Sequence, residues 1–212
     1  MPINIHILNS TGKLDDHVNE IQQEIHRHIP KICELLDLKN VDICINHDPT
    51  ASSPTTGLGG MSFNPSTLML SVNVDHPDLR KNITTLMGEL LSHEMHHCAR
   101  MEHMDEAKNL RDYLVTEGLA CLFESEFNGG NTSSLFSEVR HTDWKELYNA
   151  ALPHFENEDF NFKHWFFNTS SDKIPKYAGY WLGYNMAKAF MEKSGLSHYD
   201  MLNIPSKQFE LE

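Results

Sequence analysis

Ile3, Ile5 and Ile7 alternate with Asn4 and His6, the period-2 pattern of a half-buried strand, and predict a first strand over residues 3–8. Over residues 13–37 the period lengthens. Leu14, Val18, Ile21, Ile25, Ile29 and Leu35 recur at mostly helical spacing, which predicts an amphipathic helix that Pro30 kinks or splits. Residues 41–45 are apolar and β-branched and read as a second strand. Residues 47–60, rich in Gly, Pro, Ser and Thr, read as a loop. Residues 61–63 and 67–74 then flank Asn64-Pro65-Ser66, a turn between extended segments, so a small sheet of three or four strands is expected. From residue 77 the pattern is helical to about residue 202, with breaks near 102–105, 128–133 and 169–175. Strands first and helices after predict an α+β fold: one domain over 1–212, with a mixed sheet in 1–76 and a mostly helical part in 77–212.

Composition narrows the partners. The 212 residues, 40% hydrophobic, are enough for one sizeable core. A formal charge of -13, from 17 basic and 30 acidic residues, argues against nucleic acid or an anionic membrane as the main partner. No apolar run reaches the length of a membrane span, and the first residues lack a basic start followed by a long apolar stretch, so no signal peptide is expected. Cys33, Cys44, Cys98 and Cys121 are far apart and form no CxxC, which suits reduced thiols in a cytoplasmic protein.

The chemistry concentrates in His93-Glu94-Met95-His96-His97, an HExxH sequence inside a predicted helix. Two imidazoles four residues apart point the same way and can grip one zinc ion, with the glutamate beside them as proton acceptor. With 14 histidines in the chain the bare pattern arises easily, so its setting matters. Ile83, Leu86, Met87 and Leu90 form an apolar stripe, and its continuation falls on His93, Glu94 and His97, ionisable groups where aliphatics would otherwise belong. Such groups in a core require a partner or a metal. At about 100° per residue, His93 and His97 lie about 40° apart, with Glu94 to one side and His96 to the other. His93 paired with His96, at i, i+3, is an alternative ligand pair that leaves Glu94 without a role.

A second amphipathic helix over residues 110–120 carries the stripe Leu110, Leu114, Glu117, Cys121, again interrupted by one carboxylate. Glu117 is the candidate third ligand, and Glu124, seven residues on, is its substitute. Gly118 costs about 1 kcal/mol against alanine inside a helix, which points to another backbone or a ligand coming close there. Three protein ligands leave the fourth position on zinc for water; a fourth protein ligand would make the site structural.

These residues carry two resemblances. HExxH with a glutamate 20 residues after the second histidine is similar to the gluzincin arrangement of thermolysin-type peptidases. More specifically, Leu91-Ser92-His93-Glu94-Met95-His96-His97, then Glu117-Gly118-Leu119-Ala120, then Gly179-Tyr180-Trp181-Leu182-Gly183-Tyr184 resemble the YjaZ-type family of predicted zinc-dependent proteases, over about residues 57–194. The resemblance implies a zincin-like metallopeptidase fold with Zn2+ held by His93, His97 and Glu117 and Glu94 as catalytic base. Cys121 stands where family members often carry an acidic residue.

Such a mechanism needs an oxyanion donor besides the metal. Tyr180 and Tyr184, at i, i+4 on a helix expected over 176–193, share one face and are the candidates, although aromatic residues at that spacing also suit a core. Gly179 and Gly183 share another face and would let the helix approach a neighbour closely. His103, His154 and His164 are further possible donors. A peptide or protein substrate is expected along an exposed strand edge in the segment that begins at Gly57 and closes on Phe63, where Gly59 and Gly60 admit another backbone. The competing functions are a zinc hydrolase of non-peptide amides and a non-catalytic zinc-binding or interaction module.

Overall fold

A computed structural model describes residues 3–167 and 174–211. It divides into two compact units, Met1–His103 and Met104–Glu212. The first holds β1 (Ile3–Leu8), α1 (Val18–Leu36), β2 (Val41–His47), β3 (Leu58–Asn64), β4 (Thr67–Val72) and α2 (Leu79–Met101). The second holds α3 (Leu110–Glu124), α4 (Trp144–Ala151), α5 (Phe162–Phe166), α6 (Ala178–Ser194) and α7 (His198–Met201), with short 3-10 turns between them. The α+β class with a small N-terminal sheet and a helical remainder is therefore as expected.

The sheet has four strands in the order β1-β2-β4-β3. β1, β2 and β4 are parallel, with Ile5 opposite Ile43 and Ile43 opposite Leu68, and β3 turns back antiparallel on β4. Parallel neighbours need a crossover, which α1 supplies between β1 and β2. The pleat sends Val41, Ile43, Ile45, Leu68, Leu70 and Val72 to the buried face. On the opposite face Asn4 and His6 each hydrogen-bond to Asp42 at 2.9 Å. β3 lies at one edge, and it begins at Leu58, three residues before the extended segment expected from the sequence. Gly59 and Gly60, expected in a loop, are strand residues paired with Ser71 and Leu70; their local propensity is poor, and pairing with β4 overrides it.

Pro30 neither splits nor ends α1, which runs unbroken from Val18 to Leu36. The cost of an interior proline, about 3 kcal/mol, is outweighed by burial of Ile21, Ile25, Ile32 and Leu36 at about 1.5–3 kcal/mol each. The helix starts five residues later than its periodicity suggested, because Gly12 adopts a positive φ of 73° and residues 10–17 form turns closed by Asn9, whose side chain accepts from the Leu14 amide.

In the second unit α3 packs on α6 at a glycine crossing. A Cβ on Gly118 would lie 2.1 Å from the Gly183 carbonyl carbon, and one on Gly183 would lie 2.0 Å from the Leu114 carbonyl oxygen. The close approach expected at Gly118 and Gly183 is thus a contact of two helix backbones. Gly179 serves another purpose, making room for the Phe166 ring. The expected helical continuity fails over residues 125–161, where α4 is the one α-helix among the described residues. Gly129 and Gly130 both take positive φ there, and Pro153 lies in a 3-10 turn that ends α4. The expected break over 169–175 falls largely outside the described residues.

Candidate metal centre

α2 is long enough to carry both a core face and a functional margin. Its fully buried apolar stripe is Ile83, Met87, Leu91, Met95 and Cys98, spaced by four and three residues. Leu86 and Leu90 are only half-buried, and their row continues into His93 and His97, which are half-buried as well. The expected placement of the two histidines in the core is thus corrected: they stand at its margin, where a reactant can reach them. Glu94, at 6% exposure, and His96, at 0%, are the buried polar members of the pentapeptide, with Met95 buried between them.

The helix brings the two half-buried imidazoles to one point. Nε2 of His93 and Nε2 of His97 are 3.0 Å apart, with the rings nearly perpendicular at a centroid separation of 4.7 Å. Two nitrogens on a tetrahedral zinc ion, each about 2.0–2.1 Å from it, stand about 3.3–3.4 Å apart, so the rotamers already approximate a chelating pair. i, i+4 geometry alone does not produce this; both rings must turn their ε edges inward.

Glu94 leaves the same helix toward β3. The Ser62 hydroxyl lies 2.8 Å from Glu94 Oε2 and 2.8 Å from the Glu94 main-chain oxygen. Two residues earlier on the same face of β3, a Cβ on Gly60 would come within 2.6 Å of Glu94 Oε1, so the absent side chain is the space the carboxylate occupies. Neither Ser62 nor the fit of Gly60 to Glu94 was evident from the sequence; the only trace is a Gly-x-Ser alternation in a strand. Cys98, one turn beyond Glu94, has its thiol pushed up to about 12 by burial, with the Glu94 charge adding to the shift and the nearby Ser62 hydroxyl opposing it. Burial thus favours the packed, protonated thiol.

α3 begins at Asn109, whose side chain accepts from the Asp112 amide, an ordinary N-cap. Leu110, Leu114 and Cys121 are buried as the stripe predicted, but Glu117 is half-buried and Glu124, at 4% exposure, is the deeply buried carboxylate of the helix. Glu117 sits next to Gly118, so its backbone is fixed by the contact with α6. On α6, Tyr184 is buried, its ring stacked on Trp181 at 5.8 Å and tilted against Phe136 at 5.5 Å. Burial is the main cause that raises its phenol above the usual range, and Cys121, Glu192 and Glu124 add to it. Tyr180 is half-buried, edge-on to Phe166 at 5.0 Å. His103 and His154 are exposed, and His164 is half-buried beside Trp165.

Among the described residues, the side chains of metal-ligating kind that stand as candidates are His93, His97, Glu117, Cys121 and Glu124. The nitrogen and oxygen donors in that set suit zinc. None of the described helices is long and apolar enough to cross a membrane.

Comparison with known proteins agrees with this chemistry. The sequence model of a family described as "Predicted Zn-dependent protease (DUF2268)" matches residues 21–210. A curated relative, the "Uncharacterized protein YjaZ" of Bacillus subtilis (strain 168), is 29% identical over 131 residues, 58% of this chain and 49% of the relative. The chain thus spans about half the length of that relative. No solved structure matches the chain at a significant level.

Proposed function

Since the chain belongs to this family of predicted Zn-dependent proteases, we propose that it is a zinc-dependent peptidase in which His93, His97 and Glu117 hold the ion and Glu94 is the general base. The observation that carries the reading is the 3.0 Å convergence of the His93 and His97 Nε2 atoms beside a buried carboxylate that a serine holds in place. Glu117 is the third donor of the proposal because it follows the second histidine at the gluzincin spacing and is half-buried, unlike Glu124.

When bound, zinc acts as a Lewis acid toward a carbonyl and lowers the pKa of a water to about 7. Glu94 takes the proton of the attacking water and delivers it to the leaving amine, so that one carboxylate serves first as base and then as acid. The hydroxyls of Tyr180 and Tyr184 are the proposed donors to the developing oxyanion. Tyr180, the more exposed of the two, is the more accessible to a substrate.

The same proposal includes a zincin-like, gluzincin-type fold in which both units act as one domain. It also includes a cytoplasmic location and a peptide or protein substrate that lies along β3. That strand is at the edge of the sheet, so the substrate would extend the sheet by one strand; the support is the edge position and not the glycines, since Ala51 fills the space at Gly59 and Glu94 that at Gly60. The spacing of alternate side chains would then carry specificity.

Glu94→Gln tests the reading directly. The amide keeps the shape but cannot accept the proton. Zinc content, measured on the same sample, should match the unaltered protein, while cleavage of a diverse peptide pool followed by mass spectrometry should fall by about 100-fold to 10,000-fold. Undiminished turnover overturns the mechanism.

A further inference from the structure

We propose that Ser62 is a positioning residue, through which edge strand β3 holds the carboxylate of Glu94; the proposal rests on the peptidase reading above. Glu94 is 6% exposed, and a carboxylate so buried needs hydrogen bonds to keep one orientation. Ser62 Oγ supplies one at 2.8 Å to Oε2, a charge-assisted bond from a short side chain on a hydrogen-bonded strand. Gly60 completes the seat: a side chain there would collide with the Glu94 Cγ, at 2.5 Å from a Cβ. Strand pairing fixes both residues, since Gly60 stands opposite Leu70 and Ser62 opposite Leu68. The base is therefore located by the sheet as well as by its own helix.

The hydroxyl has a second acceptor, the Glu94 main-chain oxygen, also at 2.8 Å. This equivalence gives Ser62 a use in both halves of the proton cycle. While Glu94 is a carboxylate, the Ser62 proton points to Oε2. Once Glu94 has accepted a proton from water, the Ser62 hydroxyl turns to the main-chain oxygen and its own oxygen accepts from the carboxylic acid. No proton leaves Ser62, and the single hydrogen bond between the two residues becomes two, so that the protonated base keeps its place on β3. An oriented base of this kind loses little on reorganisation during the reaction.

The test compares zinc-loaded Ser62→Ala, Ser62→Thr and Gly60→Ala with the unaltered protein, with Glu94→Gln as reference. On the peptide best cleaved by the unaltered protein, Ser62→Ala should lower kcat by about tenfold to a hundredfold, the equivalent of one charge-assisted hydrogen bond, with KM changed by less than about twofold. Ser62→Thr keeps the hydroxyl and should restore most of kcat. Gly60→Ala keeps it too but pushes the flexible Glu94 side chain away, and should lower kcat with zinc content unchanged. Crystal structures of the same variants should show the carboxylate moved off β3 in Ser62→Ala and in Gly60→Ala. Full kcat in Ser62→Ala, or a Glu94 side chain unmoved in its crystal structure, overturns the proposal. If the unaltered protein and Glu94→Gln are equally inactive on peptides, the peptidase reading alone fails; the crystal comparison then decides whether Ser62 holds Glu94.

Discussion

Replacing Gly118 with alanine sets two physical effects of opposite sign against each other. By intrinsic propensity the change should stabilise α3, by about 1 kcal/mol, because glycine is the poorer helix former. Tertiary packing opposes it. The new Cβ would stand 2.1 Å from both the carbon and the oxygen of the Gly183 carbonyl, where carbon contacts are comfortable at about 3.5–4.0 Å. The shortfall is about 1.4 Å or more (3.5 minus 2.1), and the obstructing atoms are backbone, which cannot rotate away as a side chain would. Helices α3 and α6 must separate or slide; overpacking costs typically about 1–3 kcal/mol, and obstruction by backbone puts this case in the upper part of that range, at about 2–3 kcal/mol or more. The net expectation is a loss of about 1–2 kcal/mol or more, or a fall in Tm of several degrees for a chain of this size. Urea and thermal melts of Gly118→Ala, Gly183→Ala and the double variant measure it. Because both glycines line one crossing, the two losses should fall well short of adding in the double variant. Glu117 adjoins Gly118, so a shift of α3 should also lower zinc content under the proposed function. An alanine variant as stable as the parent would refute the argument that backbone contact, and not helix propensity, selects glycine at this position.

Pro30→Ala should raise stability, since Pro30 is exposed inside an unbroken helix and the replacement restores one backbone hydrogen bond; a gain of about 1–3 kcal/mol in urea unfolding is expected, and a loss would show that the ring itself packs. His198 has its pKa lowered, chiefly by burial, with Glu126 opposing. A histidine whose folded pKa lies below its unfolded value contributes stability that is fully present above about pH 6.5 and is lost as pH falls from there through the folded pKa. His198→Gln should therefore flatten part of the decline in stability below about pH 6.5 in urea melts at stepped pH; an unchanged decline would assign it elsewhere, His28 included, whose pKa burial also lowers.

The elements most readable from sequence were those with a long, regular period. The alternation of Ile3, Ile5 and Ile7 gave β1 its correct bounds, and the i, i+4 spacing set His93 and His97 on one side of α2, where the two Nε2 atoms stand 3.0 Å apart. Periodicity misled where burial was uneven. Leu86 and Leu90 looked as deep as Ile83 and Met87, but they lie on the half-buried margin, and that margin carries the two histidines. Residues 134–166, within the stretch expected to be helical, fold largely as turns and short helices, with Phe136, Phe155 and Trp165 buried. Local pattern records that a residue is apolar, not the path by which the chain delivers it to the core.

By itself the sequence determined the α+β order of elements, the register of the HExxH residues on one helix and the presence of a glutamate at gluzincin spacing. These depend on contacts within a few residues, and the helical repeat makes them computable from spacing. Tertiary structure alone decided that β3 pairs antiparallel at the sheet edge, that Ser62 meets Glu94 across 32 positions of sequence, and that Gly118 lies against Gly183. In each case the partner is chosen by which surfaces can be buried together without voids or unsatisfied polar groups, a condition on the folded chain that no local period encodes.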